Sequence, residues 1–195
     1  MSGSSASSTA SGLGAGVLVM VVGLGGWMLL GPDDPQAAYA DLPPAAPERL
    51  LVPSLDIDAD VVPVALSADA VLDPPQDGEL VGWWDGSARP GDRSGQTVIT
   101  GHTVHTGGGA MDPIVDVEAG RVVDLRTDEG TMRYRVTHSE VVEREDLASR
   151  AEDIFGQDRT AGRLVLVTCT NWDGSVYEDN IVVYAKPLGS PAPDA

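Results

Sequence analysis

Cysteine is nearly absent from this chain of 195 residues: Cys169 is its only one. Exported proteins generally hold cysteines in pairs, because an oxidising exterior joins them as disulfides, so a single cysteine excludes an internal disulfide framework. Zinc motifs built on Cys pairs are excluded with it. Positive charge is also scarce. Lys and Arg number 12 against 30 Asp and Glu, a formal net charge of −18, which argues against nucleic acid as a partner and for an acidic, solvated surface. No internal repeat and no Gly-rich phosphate loop occur, and helical periodicity is thin.

What the chain does have begins at residue 13. After a Ser/Gly-rich leader (residues 1–12), Leu13 to Leu30 is an uncharged run of Leu, Val, Met, Gly, Ala and Trp, just long enough to span a bilayer core as a helix. The leader has no Lys or Arg for a basic n-region, so the run reads as a transmembrane anchor. Ala38-Tyr39-Ala40 keeps a cleaved signal peptide as the alternative. Asp33 and Asp34 just after the run fit an exterior position, so the expected location is a single-pass cell-membrane protein with its main domain outside. Residues 31–47, rich in Pro, Ala and Asp, read as an extended tether. Residues 48–187 make one domain, and 188–195 a tail without hydrophobic pattern that is expected to be disordered.

Inside the domain the pattern is that of short strands. Arg49 to Pro53, Ile57 to Leu66 and Gln96 to Gly101 are β-rich runs, and Arg121 to Arg126 and Thr131 to Val142 flank a hairpin turn at Thr127-Asp128-Glu129-Gly130. Arg163 to Thr168 and Asn180 to Ala185 are the last and most hydrophobic, with Asp173-Gly174 as a turn between them. One short helix is expected within Asp146 to Phe155, and a turn near Ala110 to Val115. The implied fold is all-β, a closed or nearly closed barrel or a sandwich.

Cys169 ends one apolar strand, and His102 follows another in Thr100-Gly101-His102. A lone cysteine is most simply a small buried hydrophobe. Two strand ends can meet at one barrel rim, however, and an imidazolium beside a thiol both activates it and supplies a proton to a leaving amine. His105, three residues on, admits a His102/His105/Cys169 zinc site as an alternative, although His-x-x-His outside a helix is not a specific ligand spacing. His138 falls in a strand pattern on a solvated face. Trp83, Trp84 and Trp172 read as core or rim packing, with Trp172 placed to contact substrate in the loop after Cys169.

At these residues the chain resembles the sortases, the membrane-anchored cysteine transpeptidases of Gram-positive bacteria. Leu50 to Val61 looks like the family's opening strands, and Val81-Gly82-Trp83-Trp84 with Ala88-Arg89-Pro90-Gly91-Asp92 looks like the approach to the catalytic histidine. Thr100-Gly101-His102 matches the histidine motif, and Leu166-Val167-Thr168-Cys169 the nucleophile motif. The run Tyr177-x-x-Asn180-Ile181 is similar to a class E/F-like subgroup. The resemblance implies a sortase-type barrel of about eight strands with one or two short helices, preceded by the membrane helix.

It also implies a two-step acyl transfer with no cofactor and no metal. Cys169 attacks the Thr carbonyl of a Leu-Pro-x-Thr-Gly-like or Leu-Ala-x-Thr-Gly-like sorting signal on a surface protein, and His102 protonates the departing Gly amine. A peptidoglycan-precursor or pilin amine then takes the acyl chain. Sortases carry an Arg on the strand after the cysteine, yet no Arg lies between Thr170 and Pro187. Asn180 is expected at that position, with Glu178 the choice if the register shifts by two. Asn180 and Thr168 are the oxyanion and substrate-positioning candidates, with Trp172 and His105 as further substrate contacts. If Asn180 does not serve, backbone N–H groups near Cys169 or an Arg from another strand, such as Arg133 or Arg135, are the alternatives. A weakened sortase-like binding domain and a His/His/Cys metal-dependent hydrolase are the rival functions.

Overall fold

The computed structural model describes residues 39–192; the run 13–30 and its leader lie outside them. Nine strands form one sheet: β1 (Tyr39–Ala40), β2 (Arg49–Val52), β3 (Ile57–Val64), β4 (Val81–Trp84), β5 (Gln96–Gly101), β6 (Val122–Thr127), β7 (Gly130–Glu143), β8 (Arg163–Trp172) and β9 (Tyr177–Pro191). The order is β1-β9-β7-β6-β2-β3-β4-β5-β8, and β8 also pairs with β9. That last pairing closes an eight-stranded barrel, with β1 added outside on β9. Two short helices, α1 (Arg144–Ser149) and α2 (Ala151–Phe155), join β7 to β8. Among the described residues no helix is long and apolar enough to cross a membrane.

Strand patterning explains which faces are dry. In β3 Ile57, Ala59 and Val61 point inward while Asp58 and Asp60 face water, the alternation of a one-sided strand. Strand β5 is buried throughout, and Leu164 to Thr168 of β8 likewise, because these strands have two covered faces. Ile99, Leu164, Leu166, Ile181 and Val183 join the barrel interior. Val98, Val165, Val167, Val182 and Tyr184 point outward into a second apolar cluster with Val142 and Ile154, against which Leu72, Trp84, Leu147 and Phe155 pack. The high hydrophobicity of the last strands thus reflects a helix-covered outer wall as well as the core.

The helices are pinned to that wall by polar clamps. Arg150, between α1 and α2, donates twice to Glu140 of β7, at 3.0 and 2.8 Å. The Tyr184 hydroxyl donates to the same carboxylate at 2.8 Å. Arg163 donates to Gln96 Oε1 at 2.6 Å and stacks its guanidinium 4.4 Å from the Tyr184 ring centre. The expected single helix over 146–155 is therefore broken at Arg150, whose side chain is drawn to Glu140.

The ends of the domain differ from expectation. Residues 39–47 of the expected tether belong to the barrel: Tyr39 and Ala40 pair with Pro191 and Ser190, and Leu42 and Ala45 are buried. The expected tail is ordered as far as Pro191, as the end of β9. Gly189 makes this possible, since a Cβ there would lie 2.7 Å from the Ala40 carbonyl oxygen and its φ is +118°. The two turns read from sequence are formed. Thr127 faces Gly130 across Asp128-Glu129, and the Asp173 carboxylate accepts from Ser175 and Val176 N–H at 2.6 and 2.8 Å.

Candidate active site

Strands β5 and β8 are parallel, paired from Gln96↔Arg163 to Thr100↔Val167. One step on, Thr168 Oγ1 donates to the Gly101 carbonyl at 2.8 Å; the next residues along the two chains are His102 and Cys169. The parallel arrangement is what lets two motifs 67 positions apart end at the same rim. Thr168 has one hydroxyl proton, and it is committed to Gly101. Thr103 therefore donates to Thr168 Oγ1, at 2.9 Å. This hydroxyl is a buried tie between the strand ends rather than a free donor to substrate.

The loop after His102 folds back and is fastened by a residue the sequence reading did not single out. Asp112 accepts from Val104 N–H at 2.6 Å and from Gly109 N–H at 2.9 Å. Met111 N–H donates to the His102 carbonyl at 3.2 Å, and fully buried Met111 lies over Gly101, where a Cβ would meet its Cγ at 2.5 Å. The glycine of Thr100-Gly101-His102 is thus required by the return of this loop. Its only sequence signal was the expected turn near Ala110, found as a 3-10 turn at Asp112–Asp116.

On the same side, the His105 and Trp172 rings stack at 4.2 Å with 3° between their planes, and Trp172 leans on Tyr177 at 5.0 Å. The Tyr177 hydroxyl is buried without a hydrogen-bond partner. Burial first, then the nearby charges of Asp112 and Cys169, raise its pKa. His105 is engaged with Trp172, and among the described residues no three His, Cys, Asp or Glu side chains are grouped to hold a metal ion. His138 is exposed on β7 and stacks on Tyr184 at 4.6 Å.

On the other side of Cys169 opens a cavity of about 660 Å³. Thr100, Gly101, Thr168, Cys169 and Asn180 form its polar wall, and the β3–β4 loop (Leu66, Val71, Leu72) faces α1 and α2 (Leu147, Phe155) across it. Such a groove suits an extended, largely apolar peptide segment with its scissile carbonyl at the polar end. A second depression of about 470 Å³ is ringed by Asp56, Asp58, Asp60, Asp77 and Glu79 and holds no nucleophile.

Cys169 is exposed at this rim. The protein packed around its sulfur pushes the thiol pKa up, and the charge of Arg144 offsets part of that rise. Asn180 stands directly opposite Cys169 in the β8–β9 register, while Glu178 is exposed. Arg133 and Arg135 line no part of the cavity. Arg133 is held by both oxygens of Asp124 at 2.8 Å, and Arg135 donates to the Gly120 carbonyl at 3.3 Å.

Strand β8 runs on past Cys169 to Trp172 rather than ending at it as expected, but its parallel pairing with β5 still brings the cysteine and the histidine out at one rim, with Cys169 beside a peptide-sized groove. The chain belongs to the sortase family of enzymes: the sortase domain matches residues 50–188. Among solved structures, sortase A from Corynebacterium diphtheriae superposes with a TM-score of 0.61 at 22% identity, covering 80% of this chain and 65% of that one. This chain thus spans less than two thirds of that protein's length. Sortase C from Streptococcus pneumoniae gives 0.58 at 21%, covering 75% and 69%, and a Clostridium perfringens sortase D5 transpeptidase 0.56 at 18%, covering 74% and 79%. A comparison with curated proteins returned no match.

Proposed function

We propose that this chain is a membrane-anchored cysteine transpeptidase of the cell exterior, cleaving an LPXTG- or LAXTG-like sorting signal between Thr and Gly and passing the acyl chain to a cell-wall or pilin amine. The observation that carries this reading is the parallel β5–β8 pairing, which brings His102 and Cys169 out at one rim with Cys169 lining the apolar cavity. In the first step the Cys169 sulfur bonds to the Thr carbonyl carbon and the carbonyl oxygen takes up the negative charge. The Asn180 amide, across from Cys169, donates to that oxyanion. As the C–N bond breaks, His102 gives its proton to the departing Gly amine, leaving a thioacyl enzyme. An acceptor amine then attacks, losing its proton to His102, and Cys169 leaves as thiolate.

The anchor at residues 13–30 and the exterior location belong to the same reading. Holding enzyme and membrane-tethered substrates on one surface raises their effective concentration. The test is incubation of the purified chain with a panel of sorting-signal peptides and mass spectrometry for a thioacyl adduct. Wild type should give an adduct on Cys169 and, with an added amine, a transfer product. Cys169→Ala should give neither while staying folded, since only one small rim side chain is lost. Turnover by Cys169→Ala near wild type sinks the thiol mechanism, and peptide binding with no adduct in wild type makes the chain a binding domain.

A further inference from the structure

Addition of a thiolate to a carbonyl places a full negative charge on oxygen, which a charged donor stabilises about twice as strongly as a neutral one. Across from Cys169, strand β9 offers only neutral Asn180, preceded by acidic Glu178 and Asp179. The neighbouring strand supplies what β9 lacks. The β7–β9 register pairs Val142 with Asn180 and Glu143 with Asp179, so Val142, Asn180 and Cys169 form one row across β7, β9 and β8. Arg144 follows two residues after Val142, as the first residue of α1, and lines the same cavity as Cys169 and Asn180.

We propose that Arg144 supplies the guanidinium of this active site, reaching from the start of α1 to the oxyanion and to the Cys169 thiolate. The assignment rests on the thiol mechanism above. Arg144 is the one basic side chain lining the cavity among the described residues. It forms none of the ion pairs that occupy Arg49, Arg93, Arg121, Arg133 and Arg150, so it is available for a charge that appears during the reaction. Its charge also lowers the thiol pKa against the upward push of burial. The other charged or titratable groups around this region are Glu152 on α2, Glu143 at the end of β7, His102 just after β5 and, on β9, Tyr177, Glu178 and Asp179, the last held by Asn171 through a hydrogen bond. None of them provides a permanent positive charge.

The experiment compares wild type, Arg144→Gln, Arg144→Lys and Arg144→Gln with Asn180→Arg in the full chain. It reads kcat and KM on a reporter peptide and, without substrate, the pH profile of Cys169 alkylation by iodoacetamide. Arg144→Gln should lower kcat by about ten- to a hundredfold with KM changed less than about twofold. Its alkylation near neutral pH should slow about threefold or more as the profile moves to higher pH. Arg144→Lys should keep the alkylation profile, and Asn180→Arg should recover at least part of the lost kcat by placing a guanidinium opposite Cys169. An unchanged kcat in Arg144→Gln overturns the assignment, as does a rise in KM alone with an unchanged alkylation profile, which marks a substrate-binding arginine. If the chain turns over no peptide, the thiol mechanism fails separately; alkylation still reads Arg144, and an unchanged profile there rejects the assignment.

Discussion

The two flanks of Cys169 are built on opposite terms. On the His102 flank the chain is laced by short polar bonds: Thr168 to Gly101, Thr103 to Thr168, and the Asp112 carboxylate to two backbone N–H groups. On the cavity flank the lining is mainly apolar, contributed by the β3–β4 loop and two helices of six and five residues. The first arrangement fixes the backbone that carries His102, to which the proposed mechanism gives proton transfer. The second leaves a long groove whose walls are short segments anchored at a few points, suited to receiving a peptide. Proton transfer tolerates little misplacement, whereas apolar recognition depends on area.

That contrast predicts a steep gradient of mutational effects. His102→Ala should lower turnover at least about a hundredfold, as expected when a general acid and base is lost, with peptide affinity nearly kept because the groove is intact. His105→Ala removes one ring of the Trp172 stack and should have a far smaller effect. Equal losses at the two histidines, with bound zinc in stoichiometric amount, would instead establish a metal site. Steady-state kinetics with metal analysis decide between these outcomes.

One step down the gradient is Asp112, whose carboxylate is bonded to two backbone N–H groups of the His102 loop. Asp112→Ala leaves the Val104 and Gly109 N–H groups without their acceptor, and bonds to a charged acceptor are worth about 1.5–3 kcal/mol each. The His102 loop should loosen, lowering kcat on the order of tenfold with little change in KM, and Asp112→Asn should recover part of it by keeping one oxygen acceptor. A kcat unaffected by Asp112→Ala would show that the strand pairing alone holds His102.

The sequence was most legible where one residue's chemistry has few uses. The barrel class, the hairpin at Asp128-Glu129 and the joint placement of Cys169 and His102 could be read because apolar runs, turn residues and motif order are local signals. Strand β1 was missed, since Tyr39–Ala40 is a strand only through its pairing with β9 beside Gly189. Val81–Trp84 carried a motif but no alternation, because Val81, Gly82 and Trp83 are all buried. Arg144 and Asp112 were invisible for a different reason. Each lies near the active site only through tertiary pairing, one past the end of β7 and the other on a returning loop, and nothing in their neighbours' periodicity announces it. Asn180, by contrast, was placed by motif and stands in the register opposite Cys169.

The smallest expected effect concerns how firmly the cavity flank is held. Arg150 draws the α1–α2 junction onto Glu140, whose pKa is lowered chiefly by that hydrogen bond, against the upward push of burial and with further help from the Tyr184 hydroxyl and the charge of His138. A carboxylate whose folded pKa is depressed stabilises the fold above its unfolded pKa, roughly 4.3, and loses that contribution as pH falls through the lower folded value. Arg150→Ala should therefore lower stability only slightly near neutral pH, the pair being about one-third exposed and screened by solvent. The gap to wild type should narrow as the solution is acidified below pH ~4. Denaturant midpoints measured across that range check the sign. A gap that stays constant with pH would mean that Arg150 acts by packing the helix junction rather than through its charge, and the groove wall would then be held by its apolar contacts alone.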